Sequence, residues 1–252
     1  MRALLGAIPP VLLLGAWQLC SWLPAFPIQT FSNPAAVMNA LLASIRDGTL
    51  LRATEQTFQT TFCGLGLAIV LGVPFGFLVG SLPRADRAAV GVVEILRPVP
   101  AVAVIPLALL MFGFGSSMES AVVAFAAFWP VMVVARTAAR VVDERLIEVA
   151  RALEFNTLER FVKFLFPAAL RQLFVGFRLG LGVALVVAVT VEVAVNPQGL
   201  GYSMTNAQAA LRPDQVIALL VWIGLVGWTV NAVVALAETH LFRWDSLSGA
   251  RR

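Results

Sequence analysis

Residues 56–83 read QTFQTTFCGLGLAIVLGVPFGFLVGSLP. The stretch carries no charge and lacks the apolar–polar alternation of a half-buried strand. It is also longer than the roughly 20 residues a helix needs to cross a hydrocarbon core of about 30 Å. In lipid each backbone polar group must be bonded inside the protein, so an isolated run of this kind is a helix. The same pattern recurs along the chain. No charged residue lies between Ala3 and Ile45, Pro98 and Met118, Ser120 and Ala135, or Gln215 and Ala237. The 252 residues are 60% hydrophobic and only 13% charged, with a mean hydropathy of +0.88. Soluble domains carry roughly a quarter charged residues. The expectation is an all-α membrane protein of one domain, 1–252, with six transmembrane helices. Their spans fall at about 3–23, 56–82, 88–112, 118–140, 172–194 and 214–238. A short amphipathic helix is expected near Ala35–Ile45, after Pro24, Pro27 and Pro34. The first run reaches Trp22 without a small-residue cleavage site, and Leu19 before Cys20 spoils a lipoprotein box, so it reads as an uncleaved helix.

Basic residues orient these spans. With the N-terminus inside, 14 of the 18 Lys and Arg residues flank spans on the inner side, three (Arg46, Arg52, Arg212) lie outside, and Arg97 falls within a run. The positive-inside rule then places both termini and the 141–170 loop in the cytoplasm. A pI near 10.0 is accordingly a topology signal and not a nucleic-acid footprint.

Catalytic signatures are missing. A phosphate-binding P-loop needs Gly-Lys-Ser/Thr, and the only lysine is Lys163, between Val162 and Phe164. The single histidine, His240, has no second ligand at metal spacing, and Cys20 and Cys63 lie in apolar runs. No cofactor, metal or catalytic residue is expected, and ATP hydrolysis would require a separate subunit.

Small residues recur every four positions at Gly64, Ala68, Gly72, Gly76 and Gly80, and again at Gly176, Gly180, Ala184 and Ala188. On helices these make smooth ridges for close backbone approach, serving either static packing or sliding. Glu192 continues the second ridge by one step. An intramembrane carboxylate is a functional candidate, and the alternative is that it caps the span at the interface. Arg97 precedes Pro98 and Pro100, which must kink or break the third run. It either pairs with Glu94 one turn earlier or lines a pathway.

The 141–170 loop holds much of the chain's charge. Leu146, Ile147, Ala150 and Leu153 fit one apolar face of a short helix, and a second containing Phe161, Phe164 and Leu165 leads to Pro167. Such an amphipathic pair either docks into a partner's groove or lies at the interface as a connector.

This loop resembles the Glu-Ala-Ala coupling segment of membrane subunits of ATP-binding-cassette (ABC) importers. Glu148, Val149 and Ala150 match Glu-Ala-Ala, and Phe166–Pro167 match its later Leu-Pro pair. Further matches follow the nitrate/sulfonate/taurine group: Asn33–Pro34 through Asp47–Gly48, Leu96–Pro100, Ile105–Leu107, Phe112–Gly113, Glu192, Gly199–Tyr202 and Arg243–Trp244. Two positions depart from it. Glu154 stands where the group has glycine, moving the expected turn to Asn156, which tolerates the left-handed region, and Thr60 stands where the group often has arginine.

The resemblance implies a type I (MetI-like) importer permease of a bacterial inner membrane that pairs with a second copy or close homologue. Its partners would be two cytoplasmic ABC ATPases and an extracytoplasmic substrate-binding protein. Glu148, Val149, Ala150, Arg151, Leu153, Glu154, Phe166 and Pro167 would couple to the ATPase. Arg97, Glu192, Gly199 and Gly201 are candidates for the translocation pathway, and Gly72, Gly76, Gly80, Gly176 and Gly180 for helix packing. The expected cargo is a small anion such as a sulfonate, taurine or nitrate. An ion-coupled secondary transporter is the alternative, although no internal repeat favours it.

Overall fold

A computed structural model describes residues 12, 15–21, 32–141, 153, 155–156, 159 and 161–242. Most of the expected first span, 3–23, lies outside these residues; within it, residues 15–20 are helical. The described residues contain helices and turns but no strand.

Helix α1 (Pro34–Arg46) starts where local chemistry dictates. Asn33 accepts the amide of Ala36 at 2.8 Å, and Pro34 occupies the first turn, where its missing N–H costs nothing. Gly48, at φ 75°, turns the chain into α2 (Thr49–Ser81). Asp47 Oδ1 accepts both the amide and hydroxyl of Thr49, at 2.9 and 2.6 Å. These two bonds hold its carboxyl below the usual aspartate range.

The third apolar run, 88–112, is two helices, α3 (Pro83–Leu96) and α4 (Ala101–Phe112), bent by 92° at the break. Pro98 and Pro100 each remove an amide donor, and Pro100 begins the new helix from extended backbone. Helix α5 (Ser116–Val141) follows after positive-φ turns at Gly113 and Gly115. A π-turn, Phe161–Leu165, leads directly into α6 (Phe166–Ala194). Then come α7 (Gly199–Ala209) and α8 (Pro213–Leu241). Among the described residues four helices are long and apolar enough to cross a membrane, or five if the bent α3–α4 pair is one span.

The core lies between α2, α5 and α6. Leu65 and Ala68, Val123 and Ala127, and Leu181, Ala184 and Ala188 pack there, joined by Val234 of α8. Close approach depends on glycine. A Cβ at Gly64 would stand 2.5 Å from Val123 Cγ1, and one at Gly76 or Gly80 would collide with carbonyls of α5. A Cβ at Gly180 would stand 2.7 Å from Val131 Cγ2, and one at Gly176 3.1 Å from Val134. Gly72 is looser, at 3.2 Å from Val131 Cγ1.

Large apolar side chains cover the outside: Leu110 is 85% exposed, and Val70, Met111 and Trp228 about two-thirds. In water such a surface would aggregate; against lipid or a second membrane subunit it costs nothing.

Candidate functional site

At one end of the core, α7 begins immediately after α6 has stopped. The first amides of a helix have no carbonyl partner in their own element. In α7 three of them are satisfied from elsewhere. Gly199 N–H donates to Gln56 Oε1 at 3.1 Å, Leu200 N–H to Thr57 Oγ1 at 3.0 Å, and Gly201 N–H to Glu192 Oε2 at 2.8 Å. Thr57 Oγ1 in turn donates to Glu192 Oε1 at 2.7 Å. One turn along α2, Thr60 Oγ1 donates to Glu119 Oε1 at 2.6 Å, while Asn196 Nδ2 donates to Glu119 Oε2. The two glutamate carboxyl groups adjoin each other. Glu119, Glu192, Thr57 and Asn196 are all at least 98% buried.

Glycine makes this junction possible. Gly199 sits at φ 87°, and a Cβ there would fall on the Glu192 carboxyl group. A Cβ at Gly201 would stand 2.5 Å from the Val189 carbonyl and 2.8 Å from Glu192 Cβ. The carboxyl group of Glu192 also lies at the positive end of the α7 dipole, where it accepts the Gly201 amide. This is a joint that fixes α7 to α2, α5 and α6. Beside it, a cleft of about 290 Å³ is lined by Ser44, Asp47, Thr49, Ser203, Asn206 and Arg212, among others.

The other pathway candidate lies apart from this joint. Arg97 caps α3 at the 92° corner and is exposed. It forms no ion pair with Glu94 among the described residues, which leaves its side chain at the surface of the corner.

Of the coupling-segment residues, Glu148, Val149, Ala150, Arg151 and Glu154 lie outside the described residues. Leu153 is 58% exposed, Phe166 begins α6, and Pro167 occupies its first turn. Asn156 does not adopt the left-handed turn expected of it. Instead its side chain accepts the Glu159 amide at 2.8 Å, and Glu159 accepts the Asn156 amide at 3.0 Å, a reciprocal capping box. The Asn156 amide first, and Lys163 second, hold the Glu159 carboxyl below the usual glutamate range. Lys163 also lies 4.6 Å from the centre of the Phe155 ring.

Sequence reading missed Thr57 and Glu119 beside Glu192, Gln56 as acceptor of the Gly199 amide, and Asn196 as donor to Glu119. Glu119 is conspicuous only as the single charge between two uncharged windows. A second missed group joins Asp86 of α3 to the far end of α5. Arg136 Nε donates to its Oδ1 at 2.5 Å, and Arg140 bonds its Oδ2.

The model of the family described as "Binding-protein-dependent transport system inner membrane component" matches residues 68–244. A putative aliphatic sulfonates transport permease protein of Bacillus subtilis is 30% identical over 239 residues, 95% of this chain and 87% of that protein. A nitrate import permease protein of Leptolyngbya laminosa is 27% identical over 95% of this chain and 88% of its own length. Among solved structures, an inward-facing form of the MetNI methionine ABC transporter superposes with a TM-score of 0.58. It covers 73% of this chain and 95% of its own at 22% identity, a likeness of fold. An all-helical chain with several bilayer-length helices, a MetI-like fold and this family match is an ABC importer permease: the protein belongs to the binding-protein-dependent transport system inner membrane component family.

Proposed function

We propose that this permease works as one of two copies, identical or closely related, that enclose a translocation pathway between them. Two separate cytoplasmic ABC ATPases hydrolyse ATP, and an extracytoplasmic binding protein delivers the solute. The observation that carries this reading is the family match over residues 68–244, which contains the whole coupling segment. In this reading Glu148, Val149, Ala150, Arg151, Leu153 and Glu154 enter a cleft of the ATPase, with Phe166 and Pro167 joining them to α6. The exposure of Leu153 supports a partner there, as does the stapling of Phe155, Glu159 and Lys163 into a local platform. The charge bias of 14 to three supports a cytoplasmic position for this segment and both termini. Nucleotide then shifts a two-state equilibrium of the paired permeases through contacts that differ between the states.

Glu192, Gly199 and Gly201 hold the pathway wall in place, and Arg97 is the candidate to meet cargo. That cargo is a small anion, an assignment supported by relatives named for aliphatic sulfonates and for nitrate. The coupling test is Glu148→Arg in the full transporter. Expected are loss of ATPase association and of uptake while the permease stays in the membrane. Unchanged ATP-dependent uptake would refute the docking role. Ligand titration of the companion binding protein tests the cargo, and a preference for cations or sugars over sulfonates and nitrate would refute an anion.

A further inference from the structure

The joint around α7 contains two carboxyl groups and no basic partner. Neither Glu119 nor Glu192 takes part in an ion pair among the described residues. The groups facing them are neutral: Thr57 and Thr60 from α2, Asn196 from the α6–α7 link, and the Gly201 amide of α7. The charged residues of α2 nearest in sequence, Arg52 and Glu55, are exposed, and Tyr202 of α7 is 36% exposed. Two adjoining negative charges, 1% and 2% exposed, would have only hydrogen-bond donors to hold them. Like charges in so dry a site do not both ionise.

The hydrogen count points the same way. Each of the four carboxyl oxygens receives one donor, but none of these hydrogens comes from the other carboxyl group, so the two adjoin as acceptor against acceptor unless one carries a proton. Asn196 is 1% exposed and turned into the joint, with its Nδ2 on Glu119; its Oδ1 has no hydrogen-bond partner among the described residues. Buried acceptors are nearly always satisfied.

We propose that Glu119 and Glu192 form a one-proton binding site, the pair carrying a single negative charge shared between its two carboxyl groups. The proton comes from solvent and no bond other than O–H is made. Its consequence for transport is mechanical: with one charge removed, α7 stays clamped to α2, α5 and α6, so these four elements move as one body. The site is independent of which solute is carried.

The test is infrared spectroscopy of the full-length permease, purified in detergent at neutral pH without sodium. A protonated-carboxyl carbonyl band is expected, shifted in heavy water and lost in the isosteric double variant Glu119→Gln/Glu192→Gln. Should that variant not fold, Glu119→Gln alone serves. Its amide can donate to Glu192 and stand in for the proton, so the band is again expected to vanish. Absence of the band from the unmodified protein overturns the proposal, as does its survival in the double variant. Loss of the band on adding sodium at constant pH also overturns it, because the missing charge would then be a metal cation.

Discussion

The glycines of α2 allow a graded test of how closely α2 and α5 must approach. An added methyl at Gly66 meets nothing within 4 Å, at Gly72 it meets atoms at 3.2, 3.3 and 3.4 Å, and at Gly64 it meets Val123 Cγ1 at 2.5 Å, Val123 Cβ at 2.6 Å and the Ser120 carbonyl at 2.8 Å. Replacing glycine by alanine inside a helix gains about 1 kcal/mol where space is free. At Gly64 that gain is opposed by overpacking, which costs about 1–3 kcal/mol. The cost falls at the upper end there, since Val123 is β-branched and stiff and the Ser120 carbonyl is backbone. Gly66→Ala is thus expected to stabilise by about 1 kcal/mol, Gly72→Ala to be near neutral, and Gly64→Ala to destabilise by about 1–2 kcal/mol. For a chain of this size the outer two variants should differ in Tm by roughly 4–12 °C. Thermal unfolding of the three purified variants in one detergent measures this directly. Equal shifts at Gly64 and Gly66 would refute close α2–α5 packing as the reason for glycine at 64.

Three further outcomes follow from contacts described above. Thr57→Val removes both the hydroxyl bond to Glu192 and the acceptor for the Leu200 amide; it should destabilise by about 1–3 kcal/mol in denaturant unfolding, with Thr57→Ser restoring most of the loss. Asp86→Asn removes the negative charge between Arg136 and Arg140, so Tm should fall at low salt and the deficit should shrink as salt rises. The capping box at Asn156 depends on ionised Glu159. Because the folded carboxyl titrates below its ordinary value of 4.5, its contribution is full above that value and fades as pH falls through the lowered one. Protease cutting near Asn156 should therefore accelerate only in acid, and Glu159→Gln should abolish that dependence.

What the sequence made legible follows from which physical term acts alone. Bilayer crossing depends on a long uncharged run, so the 56–82 run is recognisable without any partner. The helix itself starts earlier, at Thr49, because hydropathy marks entry into lipid while backbone bonding continues through Arg52 and Glu55. The break at Pro98 and Pro100 is equally local, although its 92° angle is not. The joint at Glu192 was half legible. A lone carboxylate on an apolar helix stands out, but its partners lie 135 residues away at Thr57, and those of Glu119 lie 59 and 77 residues away at Thr60 and Asn196. Threonine at the end of an apolar run looks like ordinary interface polarity. Asn156 was misread for a related reason: asparagine suits both a left-handed turn and an N-cap, and only Glu159 three residues on decides between them.

The capping of α7 by other helices also dictates a schedule for synthesis. A chain grows at about 5–20 residues per second. Thr57 and Gln56 are made 143 residues before the amides they serve, an interval of roughly 7–30 s. Throughout it α2 must sit in the bilayer without its α6 and α7 partners, its Thr57 and Thr60 hydroxyls held only by carbonyls of their own helix, and Glu119 must wait in turn for Asn196. Their position near the start of α2, within reach of water, lets the nascent helix tolerate the delay. The same residues at mid-span would have to enter lipid naked. The joint consequently cannot close until α7 has left the ribosome.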